Sequence, residues 1–148
     1  MLKGDLLIVN AQHLRIEWLE GERVLKKTCT GFVPSDVLRP AYDAVLACLQ
    51  ERKGTKAYSD NRQMWPTGRD DLEWVERDWL PRMLKTAWRS WAVLEPETSL
   101  GAMNVRRWIS LYREHGIDVE VFQTEEAALG WLRARPDDAA PPDRAPAT

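Results

Sequence analysis

The chain has 148 residues, a formal charge of −2, 30% charged and 44% hydrophobic residues. That length fits one domain able to bury a core without disulfide or metal staples, and the apolar content excludes a wholly disordered chain. Its longest aliphatic run, Leu6-Leu7-Ile8-Val9, falls far short of the ~20 residues of a membrane helix or the roughly 7–15 of a signal-peptide core. A soluble, cytoplasmic protein with no transmembrane segment is the expectation.

The first third reads as strands. Asp5–Asn10 is a short apolar run, and His13–Leu19 alternates Leu14, Ile16 and Trp18 with Arg15 and Glu17, the period of a half-buried strand. Glu20-Gly21-Glu22 forms a turn and Arg23–Thr30 a third strand. Such short connections favour an antiparallel meander.

From Pro34 the period becomes helical. Leu38, Ala41, Val45, Cys48 and Leu49 share one face, Ser35 or Asp36 is the expected N-cap, Gly54 the terminator, and Pro40 belongs in the first turn. Thr55–Asp60 follows as a strand and Asn61–Pro66 as a loop. Thr67 is placed to cap a long helix whose stripe is Leu72, Val75, Trp79 and Met83, with Pro81 expected to kink or split it. Trp91–Glu95 is the next strand, stopped by Pro96, and a helix spans Ser99 to His115. Ile117–Gln123 is the last strand. The last helix starts at a Thr124 cap and carries Ala128, Trp131 and Leu132 inward; Gly130 within it hints at close packing on the sheet.

Strands alternating with helices place the later strands in parallel, with crossover helices on the sheet faces. The expected fold is α/β: a single mixed sheet of five or six strands, an N-terminal antiparallel meander followed by βαβ crossovers, with about four helices. Residues 1–135 form one domain in this reading. Residues 136–148, rich in Pro, Ala and Asp, form a tail expected to be disordered.

Cys29 and Cys48 form no C-x-x-C and read as buried free thiols. His13 alternates with strand residues, and His115 sits at a helix end, where its charge suits the dipole. No metal centre or cofactor motif is readable. The tail holds one arginine against three aspartates, leaving a body of 20 basic and 20 acidic residues. A neutral body argues against general nucleic-acid binding. Between Arg82 and Arg113, six basic residues interleave with Trp88, Trp91 and Trp108. Opposite helix faces, solvent against core, explain that pattern better than base stacking.

Several stretches together resemble a known family. They are Ser59-Asp60-Asn61-Arg62, Thr67 to Glu73-Trp74, Trp79-Leu80-Pro81, Trp91-Ala92-Val93-Leu94, Val119-Glu120-Val121-Phe122, and Glu126 to Leu132. In combination they look like small bacterial STAS-related proteins of the SpoIIAA-like type, which are distantly similar to anti-sigma-factor antagonists and CRAL-TRIO lipid-binding domains. The resemblance implies a compact α/β domain acting as an interaction module, not an enzyme. Regulatory STAS domains present an Asp followed by a phosphorylatable Ser; here Asp60 fits but Asn61 replaces the hydroxyl. Thr67 could stand in as acceptor, yet helix capping is its better-supported role.

In sheets with parallel strands, ligands gather beyond the carboxyl ends of the strands. There the chain offers Asp60, Asn61, Arg62 and Trp65, with Glu95 on the neighbouring strand end. Arg62 could take an anion or a partner's carboxylate, and Trp65 could anchor an interface. The competing reading has Asp60 and Asn61 bonding local backbone and Arg62 pairing with Asp60 or Glu95. The expected function is a non-enzymatic binding or regulatory module with a protein partner. The alternative is a carrier of a small apolar or anionic, lipid-like ligand, which requires a cavity of about 300 Å³ or more. Hydrolase-like chemistry from Asp60 and Glu95 is the least supported reading.

Overall fold

The computed structural model describes residues 4–137; the predicted tail from 138 onward lies outside the described residues. Six strands form one sheet in chain order: β1 (Leu6–Ala11), β2 (Leu14–Leu19), β3 (Val24–Cys29), β4 (Lys56–Asp60), β5 (Ser90–Leu94) and β6 (Asp118–Phe122). The first three pair antiparallel and β3 to β6 pair parallel. The mixed sheet expected from the sequence is therefore present. Its helices fill the crossovers: α1 (Ser35–Arg52) precedes β4, a helical stretch from Arg69 to Met83 precedes β5, α4 (Ser99–Glu114) precedes β6, and α5 (Glu125–Arg133) ends the fold.

Successive right-handed crossovers to adjacent strands put their helices on one face. The larger core lies there: Leu25 and Cys29 of β3, Ala57 of β4, Trp91 and Val93 of β5 and Val119 of β6 meet residues such as Leu49, Met83 and Trp108. The alternate residues Val24, Tyr58, Ala92 and Leu94 face Ala128 and Leu132 of α5. Period-2 alternation thus divides each inner strand between two helical layers.

Local chemistry departs from the sequence reading in several places. Pro34, not Ser35 or Asp36, is the N-cap of α1, without a side-chain cap bond. Ser35 instead donates its hydroxyl to Asp71 Oδ2 at 2.8 Å. Pro40 lies in the second turn of α1, beyond the first turn expected. Its ring and the residue four before it, Asp36, are both exposed, so water can serve the carbonyl that proline leaves without a donor. The left-handed C-cap falls on Lys53 (φ 53°, ψ 39°). Gly54 is required for another reason: a Cβ there would lie 2.7 Å from Leu49 Cδ2 and 3.0 Å from the Trp18 ring.

Gly68 rather than Thr67 occupies the N-cap of the next helix. That helix is split as Pro81 foretold, but without an end: α2 (Arg69–Trp74) widens into a π turn (Val75–Trp79) before α3 (Leu80–Met83). The Leu80 N–H reaches Val75 O, five residues back, which inserts the extra residue ahead of a proline that cannot donate. Thr124 caps α5 as expected, accepting from Ala127 N at 3.2 Å. Gly130, however, is exposed with open space around a built Cβ, so it marks no close contact with the sheet. Trp131 is only half-buried, resting on Phe122 with ring centroids 5.7 Å apart.

Trp88, Trp91 and Trp108 are buried, but only Trp108 shares a helix with the exposed Arg106 and Arg107. Trp91 lies in β5 and the Arg89 guanidinium is buried with no partner among the described residues, so the division into solvent and core faces of a helix holds for α4 alone. Cys29 and Cys48 are free and buried. No helix of the described residues is long and apolar enough to cross a membrane.

Candidate functional site

The parallel register aligns Thr28, Asp60, Leu94 and Phe122 across β3 to β6, so the chain leaves the sheet along one carboxyl edge. A polar recess of about 240 Å³ opens there, lined by Thr28, Thr30, Asp60, Arg62, Gln63 and Glu97, with Cys29 at its base. The loop after β4 builds most of it, pinned at three backbone points. Asn61 N donates to Leu94 O at 3.1 Å, Met64 N to Asn61 O at 3.0 Å, and Trp65 N to Gly31 O at 3.2 Å.

Arg62 turns back on Asp60. Its Nε meets Oδ1 at 3.0 Å, its Nη2 meets Oδ2 at 2.8 Å, and its backbone N–H reaches Oδ1 at 3.2 Å. The guanidinium bonds hold the Asp60 carboxyl below the usual carboxylate range; burial opposes this, and the backbone N–H and Lys26 assist it. Asp60 in turn holds the Arg62 guanidinium above its ordinary value. The two-point contact between Arg62 and an external carboxylate is thus already made within the loop. Glu97 completes the recess, its N–H bonded to Arg62 O at 3.0 Å. Two carboxylates against one guanidinium leave the recess net negative.

Of the five residues expected at a site, two line this recess. Asn61 is fully buried, and both polar atoms of its side chain lack a hydrogen-bond partner among the described residues. Trp65 stands beside the recess, 61% exposed, and its backbone bond to Gly31 sets it next to Phe32, 44% exposed. Glu95 does not join them: its carboxylate faces α4 and pairs with Arg106 at 3.4 Å. Pro96 separates it from Glu97, which enters the recess instead. Asp60 and Glu95 therefore each belong to a different arginine and form no working pair. The sequence reading missed Thr28, Thr30, Gln63 and Glu97. Only the parallel register, invisible before the sheet order is known, brings the end of β3 to that loop.

Two further large apolar side chains, Leu100 and Met103, are over 60% exposed in the opening turns of α4, which also start from this edge. The apolar interior offers far less room. A cavity between the sheet and its larger helical layer holds about 50 Å³, well below the ~300 Å³ of an ordinary small-molecule pocket. A lipid-like cargo finds no such space there.

No family model matches the chain, and no curated protein matches it. Among solved structures, it is similar to an uncharacterised protein of the DUF3478 family with a SpoIIAA-like fold from Shewanella loihica PV-4. The two share 15% identity with a TM-score of 0.54, over 84% of this chain and 98% of the other. The fold is therefore SpoIIAA-like, as the motif resemblance implied.

Proposed function

We propose that this protein is a non-enzymatic, STAS-like binding module that docks a protein partner on the carboxyl edge of its sheet, through the loop from Asp60 to Trp65. The observation that carries the reading is Trp65, held 61% exposed by a backbone bond to Gly31 and placed beside exposed Phe32 and the polar recess. A large indole presented to water from a pinned backbone is the usual anchor of an interface hot spot. Its rigid support lowers the ordering cost of association. The Asp60–Arg62 pair supplies a fixed polar edge that sets partner specificity, and Glu97 adds an unmatched negative charge. A cytoplasmic setting accords with two free, buried thiols.

Chemistry on bonds has less support. Asp60 is held ionised by Arg62, and Glu95 pairs with Arg106 on α4, so the two carboxylates do not face each other as an acid–base pair. The test is affinity capture from a lysate of the source organism with wild type and with the Arg62→Ala, Trp65→Ala double variant. Proteins enriched by wild type should disappear from the variant while its circular dichroism is unchanged. Equal recovery by both proteins rejects the reading.

A further inference from the structure

Lys27 lies on β3, one residue before Thr28 of the recess, on the face that meets the larger helical layer. Its Nζ touches the Tyr42 hydroxyl at 3.3 Å and sits 5.5 Å from the centre of the Tyr42 ring. No carboxylate of the described residues lies within ion-pair reach of it. Burial works against its charge, but Tyr42 and, less strongly, Cys29 outweigh this and leave the ammonium above the ordinary lysine value. The group is therefore a half-buried cation with one long hydrogen bond and no counter-charge among the described residues.

Lys27 also lines the 50 Å³ cavity, together with Tyr42, Ser59, Trp108 and Tyr112. Beside the Lys27 ammonium and the Trp108 indole N–H, this wall carries the hydroxyls of Tyr42, Ser59 and Tyr112, which donate as well as accept. Trp108 is 2% exposed and its Nε1–H has no acceptor among the described residues. Ser59 Oγ accepts from Trp91 Nε1 at 2.9 Å, which leaves its own proton free to donate. The remaining wall is aromatic and aliphatic. A half-buried ammonium without a counter-charge next to a buried, unpaired N–H is costly, and both groups favour an anionic acceptor.

We infer that this cavity is a binding site for a small monovalent anion, seated between the Lys27 ammonium and the Trp108 indole N–H. Size limits the ligand: at roughly 10–15 Å³ per water-sized volume, the space takes about four heavy atoms. Formate, acetate or a single halide fits those limits, and the aromatic wall suits the carbon of a carboxylate. Sulfate and phosphate exceed the space and bring a second charge that nothing opposes. Because Lys27 belongs to β3, Tyr42 to α1, and Trp108 to α4, an occupied site would tie the sheet to two of its covering helices.

Bromide and acetate are the probes. Crystals of the wild type soaked in sodium bromide should show an anomalous peak within hydrogen-bond reach of Lys27 Nζ. Tryptophan fluorescence, reporting the surrounding indoles, should respond saturably to sodium acetate at constant ionic strength. Its midpoint belongs in the millimolar range or below, the scale for so small a ligand. Lys27→Met, which replaces a half-buried cation by an apolar chain and so should fold, should abolish both signals. Trp108→Phe should weaken the acetate midpoint at least threefold. An ordered water in place of bromide, a response needing molar salt (an adventitious ion only), or an equal response from Lys27→Met overturns the inference. Should Lys27→Met fail to fold, the bromide peak in wild type and the Trp108→Phe midpoint decide it.

Discussion

Arg62 grips the carboxylate of Asp60 two residues before it, with Nε on one oxygen and Nη2 on the other. The pair closes the turn that carries the chain off β4, and it gives the folded state a pH signature. Because the folded-state pKa of Asp60 is depressed, the pair stabilises the fold above the ordinary Asp range and loses that contribution as pH falls through the folded value. Arg62 is half-exposed, so solvent screening keeps the contribution under about 1 kcal/mol. Arg62→Ala should therefore lower stability to urea slightly at pH 7, and the difference from wild type should vanish towards pH 2. Carbon-detected NMR titration should show the Asp60 carboxyl rising toward its ordinary value in the variant.

Asn61 behaves differently from its neighbours. It is completely buried, and its side-chain oxygen and nitrogen have no partner among the described residues. An amide desolvated without a hydrogen bond contributes no bond to lose on truncation. Asn61→Ala should change the midpoint of thermal unfolding little, corresponding to within about 1 kcal/mol either way. Asn61→Asp should cost about 3 kcal/mol or more, because a charge would be buried without a partner. A large loss for the alanine variant would mean that the amide has a bound partner, such as an ordered water.

How far these elements could be read in advance depended on where their information lies. Periodicity is local, so the strands, the helical crossovers and the division of Trp108 from Arg106 and Arg107 along α4 were legible. Proline chemistry was legible in kind: Pro81 announces a break, but only the coordinates show that a π turn absorbs it. Caps were less so, because Ser35 has a better use across the α1–α2 contact, with Asp71, than at its own helix end. The site was half-legible. Asp60, Arg62 and Trp65 belong to one loop, whereas Thr28 and Thr30 enter through strand pairing and Glu97 through a turn after proline. The Lys27 ammonium, facing Tyr42 and no carboxylate of the described residues, had no sequence signal at all, since alternation along β3 does not reveal what stands opposite.

Asp71 joins the first two helices more firmly than its position suggests. In sequence it is one of two acidic residues in the first turn of α2, yet it is buried and accepts from Ser35 Oγ at 2.8 Å and from Arg39 Nε at 2.9 Å. Hydrogen bonds to a charged group are each worth about 1.5–3 kcal/mol on truncation, and Arg39 is partly solvated, which favours the lower end. Asp71→Ala, which removes both bonds, should cost about 3 kcal/mol in chemical denaturation, while Ser35→Ala, which removes one, should cost about 1.5 kcal/mol. If the two losses fail to overlap in the double variant, the hydroxyl and the carboxylate do not act through one another.

Gly54 and Gly130 make opposite predictions from the same substitution. At Gly54 an added methyl would press on Leu49 Cδ2 at 2.7 Å and on two atoms of the buried Trp18 ring at 3.0 and 3.1 Å. That ring is fully enclosed and cannot give way without displacing its own neighbours, so Gly54→Ala should destabilise by about 1–3 kcal/mol through overpacking. At Gly130, inside α5, the methyl would meet open space, and the residue is solvent-facing. Alanine there relieves the helix of its most flexible residue and should stabilise by about 0.5–1 kcal/mol. Thermal unfolding of the two single variants beside wild type tests both signs at once. A neutral Gly54→Ala would show that the Trp18 pocket yields, and a destabilising Gly130→Ala would mean that the outer face of α5 is covered in solution.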